Sequence, residues 1–431
     1  MKLAVTGFVS GEAGSGASAS VLVLRELLKL GHDIHFFSKP TFVDPRPLLG
    51  DFPNFHFVNV TNVGPDKLRQ RIQNIPIVGL FGHRIDAGTY NRLLVNTIEK
   101  YHSKEKYDVC LWIGDYTRGR IVGLPTISCY MPVPGTDARS ILRQYSEVKK
   151  MAGPVEAIKW RILANLRLSR IGLPNFNHSD HLIVTGEWSK KTLSSPSYFG
   201  VNENKISTLP LPIDLDLFNL PNNLHVGPRK DFLNILWVGR IVPRKRLDLF
   251  LNGAEMAIKQ GVKLKLTILG DIKLVSGYDK LIRDFPFQNN LTWIRSPIPR
   301  KEVPNLYNVH DVLVQPSEEE DFGSSPAEAQ ACGLPVIVGH TSGNVDCLCS
   351  RDICLRDYSV ERVYLAYREM SERKRNGSLN YPIISRKCAL QHYSTEDITR
   401  SLIYRLESVK EEVKESEITF KYPHLIPEFP L

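Results

Sequence analysis

A chain of 431 residues with 42% apolar and 23% charged side chains is too long for one ordinary core and too apolar for a disordered chain, so two globular domains are expected. The formal net charge of +9 favours an anionic partner, and a nucleotide, a nucleic acid or an anionic membrane surface would each satisfy it. Seven cysteines, an odd number scattered from Cys110 to Cys388, argue against a disulfide framework, and no run reaches the roughly 18 apolar residues of a membrane span. The close group Cys347, Cys349 and Cys354 lacks the paired spacing of a zinc site and is read as idle thiols. A cytoplasmic protein is expected.

The chain opens as strand, glycine-rich loop, helix and strand. "KLAVTGFV" has the length and apolarity of a strand, and "ASASVLVLRELLKLG" sets Val21, Leu24, Leu27 and Leu28 at helical spacing before Gly31 ends the helix. "DIHFFS" returns as a second strand, which makes a βαβ unit of the doubly wound kind. Within the loop, Gly14, Gly16 and Ala19 fit a GxGxxA spacing whose backbone amides at a helix start suit an anion such as a diphosphate. A dinucleotide site would want an acidic residue at the end of the second strand, where this chain has Lys39.

Further along, residues 139–172 are basic with interleaved Leu, Ile and Trp160. They are read as an amphipathic helix pair covering the first sheet, the alternative being a membrane-surface element that faces a lipid-linked acceptor. The stretch "STLPLPIDLDLFNLPNNLHVGPRKDF" is rich in proline, asparagine and charge and marks a boundary near residue 217. This gives domains at 1–217 and 218–395, with 396–431 a helix and tail that either packs on the second domain or crosses back to the first. Asp214, Leu215 and Asp216 look like a metal-binding DxD, but their place at the hinge favours a structural role.

The strand-helix-strand grammar then repeats. "LNILWVGR", "RLDLFLNGAEMAIKQG" and "VKLKLTILGD" open a second doubly wound domain, and the cleft between the two is the default ligand site. Arg240, at the carboxyl edge of its strand, can grip phosphate oxygens, and Lys245 five residues on can add a point charge. Arg244 and Arg246 are read as a solvated basic turn. In "QPSEEEDFGSSPAEAQACGLPVIV", Ser325, Pro326 and Glu328 read as a helix cap, first turn and capping box, which accounts for Glu328 without any ligand. That reading leaves Glu320, Phe322 and Gly323 unexplained. The amides of Gly323, Ser324 and Ser325 at a helix start suit an anion, and the carboxylates suit sugar hydroxyls, a combination that describes a nucleotide sugar.

The run from Glu320 to Glu328, with Phe322 and Gly323 inside it and "ACGLPVIV" after it, closely resembles the E-x7-E motif of retaining GT-B glycosyltransferases, the group that includes glycogen synthases and sucrose synthases. The Arg240 and Lys245 pair and the "SGNVD" turn at 342–346 resemble further elements of that group, in the same order. The resemblance is strong over 233–346 and implies two Rossmann-like α/β domains facing a cleft. It implies that Arg240 and Lys245 bind the donor diphosphate, that Glu320 and the amides of Phe322 and Gly323 hold the sugar, and that Glu328 binds the ribose. The same resemblance implies that Gly14 and Gly16 approach the diphosphate from the other lobe and that neither metal nor cofactor is needed. The acceptor is not identified, and no nucleic-acid module is found. "PLPIDLD" departs from the usual linker of that group, and its first-lobe cleft histidine has no counterpart here, so Asp115 and Tyr130 receive no role. The rival readings are a non-catalytic nucleotide-sugar or polyanion binding protein and an NADP-dependent oxidoreductase.

Overall fold

Strands buried on both faces read as nearly continuous apolar runs, and such runs build two separate parallel sheets in this chain. The computed structural model describes residues 1–11, 15–39, 44–60, 78–168, 174–221, 231–295, 298–379 and 382–421. The first sheet has seven strands, β1 (Lys2–Gly7), β2 (Asp33–Ser38), β3 (Phe55–Asn59), β4 (Val109–Ile113), β5 (Thr126–Cys129), β6 (His181–Val184) and β7 (Ile206–Thr208), in the spatial order 3-2-1-4-5-6-7. The second has six, β8 (Leu233–Val238), β9 (Leu264–Leu269), β10 (Leu291–Ile294), β11 (Val312–Gln315), β12 (Val336–Gly339) and β13 (Ile353–Leu355), in the order 10-9-8-11-12-13. Each order reverses direction beside its first strand, the switch point at which doubly wound sheets take ligands.

Helix α1 (Ser15–Lys29) follows β1, as the 3.6-residue spacing requires. Val23, Leu24 and Leu27 are fully buried, each worth about 1.5–3 kcal/mol of apolar burial. The next helices are α2 (Val78–Glu105), α3 (Thr136–Arg143), α4 (Tyr145–Leu168) and α5 (Glu187–Ser194). In the second half come α6 (Leu247–Lys259), α7 (Tyr278–Arg283), α8 (Val303–Asn308), α9 (Ser324–Ala331), α10 (Val360–Arg375), α11 (Pro382–Tyr393) and α12 (Thr395–Lys421).

One apolar cluster runs through both lobes. Val5, Leu24 and Phe36 of the first sheet and its cover share it with Leu313, Phe322 and Ala327 of the second, and Tyr393, Leu402 and Leu406 of the last two helices join them. Helix α12 lies against α1, and Lys410 on it pairs with Asp108 before β4 at 2.6 Å. Helix α12 therefore covers the lobe that β1 and α1 open. A second cluster, including Trp237, Leu251 and Tyr367, fills the other face of the second sheet.

The described part of the 139–172 segment, residues 139–168, packs on the second lobe rather than covering the first sheet as its pattern suggested. Val148 and Ala157 of α4 are buried in the second-lobe cluster, with Met151 and Trp160 packed beside them, and Glu156 accepts the Ser276 amide at 2.9 Å. Amphipathic spacing fixes that a helix has a buried face, and the long connection between β5 and β6 lets that face reach the other sheet. Gly153 (φ 82°) and Pro154 kink α4, and beyond the kink Val155, Ile158, Ile162 and Leu166 are exposed. At the hinge, Asp214 accepts the Leu217 amide at 3.0 Å, a turn role for one acid of the DxD-like run. Among the described residues no helix is long and apolar enough to cross a membrane.

Candidate functional site

The carboxyl ends of the two sheets point at each other. Past β5, the Val133 amide donates to Asp321 Oδ1 at 2.8 Å; past β6, Thr185 Oγ1 donates to the Asp321 carbonyl at 2.6 Å. Two glycines let the backbones meet. A Cβ on Gly343 would sit 1.8 Å from the Asp321 carbonyl oxygen, and one on Gly186 would sit 2.6 Å from that of Gly343. The "SGNVD" turn is a 3-10 turn over Gly343–Cys347, and its Asp346 accepts the Glu187 amide at the start of α5 at 2.9 Å.

Four consecutive acids, Glu318 to Asp321, lie at this junction, where a solvated charge run would be the ordinary expectation. Instead Glu318, Glu319 and Glu320 are buried, each paired with cations, and Arg143 serves two of them. Glu318 pairs with Arg246, and with Arg143 at 3.3 Å. Glu319 takes Arg139 at 2.8 Å and Arg143 at 2.6 Å, both from α3. Glu320 takes Arg244 at 2.8 Å and also Lys245. The supposed solvated turn at Arg244 and Arg246 is therefore buried, at 7% and 9% exposure, because its cations answer the acidic run. A 3-10 turn, Pro243–Lys245, followed by left-handed Arg246 (φ 49°), aims the three side chains inward.

Arg244 also crosses to the first lobe, where its Nε meets Asp137 in the first turn of α3 at 2.7 Å. Arg240 stands apart, 55% exposed, with only a loose approach to Asp137 at 3.9 Å. Burial alone would raise the Glu320 carboxyl, but Arg244 and Lys245 overcome it and hold it at about 2. Burial lowers the Lys245 ammonium below its ordinary value, with Glu320 opposing. Asp321, which has the Val133 amide as well as burial acting on it, is pushed up to about 7 because burial dominates.

The helix that follows begins two residues earlier than the capping-box reading placed it. Helix α9 starts at Ser324, and its cap is Gly323 in a left-handed conformation (φ 85°), with no side chain capping it. Glu328 does not turn back to the cap. It accepts from Tyr307 Oη at 3.0 Å and pairs with Arg300 at 3.3 Å, both across from α9. Burial raises its carboxyl, and Arg300 and Tyr307 oppose that rise. The capping box loses because a buried phenol and an arginine offer Glu328 better partners than a cap amide.

Phe322 turns into the core and meets Tyr393 edge to face at 5.8 Å, which leaves its backbone at the junction. The Gly323 carbonyl is taken by Asn344 Nδ2 at 3.0 Å, and a Cβ on Gly323 would press on Asn344, Gln315 and Glu320 at 3.3 Å each. Ser324 opens α9 and is partly exposed. Arg240, Lys245 and Glu320 thus share one site around Arg244 and Asp137, with Gly323 and Ser324 beside it and Glu328 in a neighbouring niche. Gly16 sits in the first turn of α1 with open space where a Cβ would be, and Gly14 lies outside the described residues. Asp115 pairs with Arg118 at 3.0 Å, and Tyr130 is buried. Sequence reasoning missed Asp137, Arg139, Arg143 and Arg244. The signal for Arg244 was the match between "PRKR" at 243–246 and "EEED" at 318–321. With its carboxylates already matched to cations and amides, and Arg240 open beside a helix start, the arrangement suits an anion.

Two doubly wound lobes meeting at their carboxyl ends make this a fold of the GT-B type. The sucrose-phosphate synthase of Thermosynechococcus elongatus superposes with a TM-score of 0.60 at 16% identity, over 94% of this chain and 98% of that one. HepE of Anabaena, solved in complex with UDP and glucose, superposes with a TM-score of 0.59 at 12% identity, over 95% and 100% of the two chains. Residues 225–373, a stretch that contains β8 to β13, match the family model of the group 1 glycosyl transferases. The chain is also similar to the D-inositol 3-phosphate glycosyltransferase of Paenarthrobacter aurescens, 30% identical over 155 residues, a match that covers 34% of this chain and 38% of that relative.

Proposed function

We propose that the chain is a retaining glycosyltransferase that moves a sugar from a nucleoside-diphosphate sugar to an acceptor. The observation that carries this reading is the buried Arg244–Glu320–Lys245 cluster, with Arg240 open to solvent beside it, at the start of α9. The match to the group 1 glycosyl transferases over residues 225–373 supports it. In this reading Arg240 and Lys245 take the donor diphosphate, and Lys245 exchanges part of its contact with Glu320 for phosphate oxygens. The amides from Phe322 to Ser324 and the Glu320 carboxylate hold the sugar, while Glu328 in its niche takes the ribose. Gly14 and Gly16 approach the diphosphate from the first lobe. As the bond between the anomeric carbon and the diphosphate breaks, negative charge grows on the leaving oxygen beside two cations and a helix start, the stabilisation that matters most in such a step. The acceptor oxygen enters on the face that the diphosphate leaves, and its proton passes to the leaving phosphate oxygen. No metal or organic cofactor takes part in this scheme.

The test is calorimetric titration of the UDP, GDP and ADP forms of nucleotide and nucleotide sugar into wild type and Arg240→Ala. One diphosphate series should bind, and the variant should weaken it roughly 10- to 100-fold, the worth of one charge-assisted contact. Proton NMR of the product anomer then reads the stereochemistry, and inversion would end the retaining assignment. Tight donor binding without turnover on any acceptor leaves the non-catalytic binding protein.

For the acceptor, the observation is the stripe of Val155, Ile158, Ile162 and Leu166, exposed on one side of α4 and flanked by exposed Lys159, Arg161 and Arg167. A basic amphipathic face suits an anionic membrane surface, and so a lipid-linked acceptor. Sedimentation with phosphatidylglycerol vesicles, absent with phosphatidylcholine and lost in Ile162→Asp, is expected. Equal sedimentation of wild type and variant would end this part of the reading.

A further inference from the structure

At the opposite ends of the first sheet's strands, away from the cleft, three side chains meet that play no part in the donor site. Asp33 and His35 stand two residues apart on β2 and so on one face of the sheet, and His56 on β3 is the register partner of His35. Their ligand atoms all lie within 4.8 Å of one another. His56 Nε2 is 3.2 Å and His35 Nε2 is 3.7 Å from the same oxygen, Asp33 Oδ1. That oxygen is shielded from solvent, yet no donor reaches it with hydrogen-bond geometry. The buried phenol of Tyr107 lies 2.8 Å from His35 Nδ1; with Nδ1–H donating to it, the Nε2 lone pair faces the carboxylate.

We propose that Asp33, His35 and His56 form a site for a divalent transition metal of the zinc type, which ties the edge strand β3 to β2. Two imidazoles and one carboxylate are a borderline donor set that suits such an ion. Bonds of about 2.0–2.1 Å in a tetrahedron put ligand atoms about 3.3 Å apart, close to the 3.2 and 3.7 Å between Asp33 Oδ1 and the two imidazoles. His35 is buried and Tyr107 orients it from behind, as second partners of metal-bound histidines do. His56, 49% exposed on its side chain, leaves an entry path and room for a water as fourth ligand. Lys2 Nζ approaches the other oxygen, Asp33 Oδ2, at 3.7 Å and would oppose a cation, but Glu105 pairs with Lys2 and answers its charge. The competing account is a protonated His56 paired with Asp33, which accounts for one imidazole and leaves His35 Nε2 facing the same oxygen without a role.

The experiment is titration of tag-free, chelator-treated full-length protein with Zn2+ by calorimetry and with Co2+ by visible absorption. One Zn2+ per chain and a cobalt spectrum of a four-coordinate nitrogen and oxygen site are expected. His56→Gln, at a half-exposed position that leaves the apoprotein's unfolding temperature unchanged, should lose at least tenfold in affinity, and Tyr107→Phe about tenfold through the ring it orients. Substoichiometric Zn2+ binding would overturn the proposal. So would equal affinity in wild type and His56→Gln, or a cobalt spectrum with strong thiolate charge transfer, which would place the ion on cysteines.

Discussion

Arg244 holds Glu320 at 2.8 Å through one nitrogen and Asp137 at 2.7 Å through another, so a single guanidinium joins a carboxylate of each lobe. The planar fork of an arginine suits this bridge, and it cannot escape its burial by losing a proton. The loop that carries Glu320 is thereby tied to the first turn of α3.

Replacing Glu320 by Gln keeps the shape and removes the charge that Arg244 and Lys245 share. Arg244 retains Asp137, and Lys245, already lowered by burial, can release its proton, so the loss should be about 3 kcal/mol, the low end for breaking a buried pair. Urea unfolding measures it. Glu320 is held below its ordinary 4.5, so its stabilisation is complete above that value and is lost as the pH falls through about 2. The gap between wild type and variant should close as the pH falls through that window. Under the proposed function, turnover should fall about 100-fold with kcat and kcat/KM falling together.

Asp321 carries the opposite sign. Its folded carboxyl titrates near 7 against an ordinary 3.8, so the folded state favours the proton, and the stabilisation present below 3.8 is lost as the pH rises through 7. Asp321→Asn should therefore gain unfolding temperature relative to wild type as the pH climbs from 4 to 7. A difference that does not change with pH would show that the Val133 amide, rather than burial, governs this group.

Tyr307→Phe removes the 3.0 Å hydrogen bond to Glu328 and leaves burial opposed by Arg300 alone. Stability should drop by about 1 kcal/mol, the net worth of one such bond, and the Glu328 carboxyl should rise further. If Glu328 binds ribose, nucleotide affinity should weaken with no change in the product anomer. Unchanged affinity in both Tyr307→Phe and Glu328→Gln would return Glu328 to a purely structural part.

Leu402→Ala, in a fully buried position of α12, should cost about 2–5 kcal/mol although it lies far along the chain from the first sheet. Thermal unfolding checks the size. Hydrogen exchange should show α1 losing protection with α12, and an effect confined to the second lobe would contradict the packing.

Periodicity made both sheets legible, because buried parallel strands and the helices between them carry strong local patterns. β8, α6 and β9 follow the expected order, as do β1, α1 and β2. Arg240, Lys245, Glu320 and Glu328 were legible through spacing, whereas their partners were not. Arg139 and Arg143 sit about 180 residues before Glu319, and no local rule couples charges at that separation. Glu328 shows the reverse failure. Its local signal was strong enough to suggest a capping box, and Tyr307, 21 positions upstream, won the carboxylate instead. The destination of α4 escaped for a related reason, since an apolar stripe such as Val148 and Ala157 does not name the sheet it will meet.

The return of α12 to α1 also orders events during synthesis. Leu402, Leu406 and Val409, all buried against the first lobe's cluster, leave the ribosome after both sheets have been made. Until then α1 carries an uncovered apolar flank on a nascent chain that already holds a foldable second domain. Completion of the first lobe's cover thus waits on α12, and a ribosome stalled within that helix would present an exposed seam to holdase chaperones.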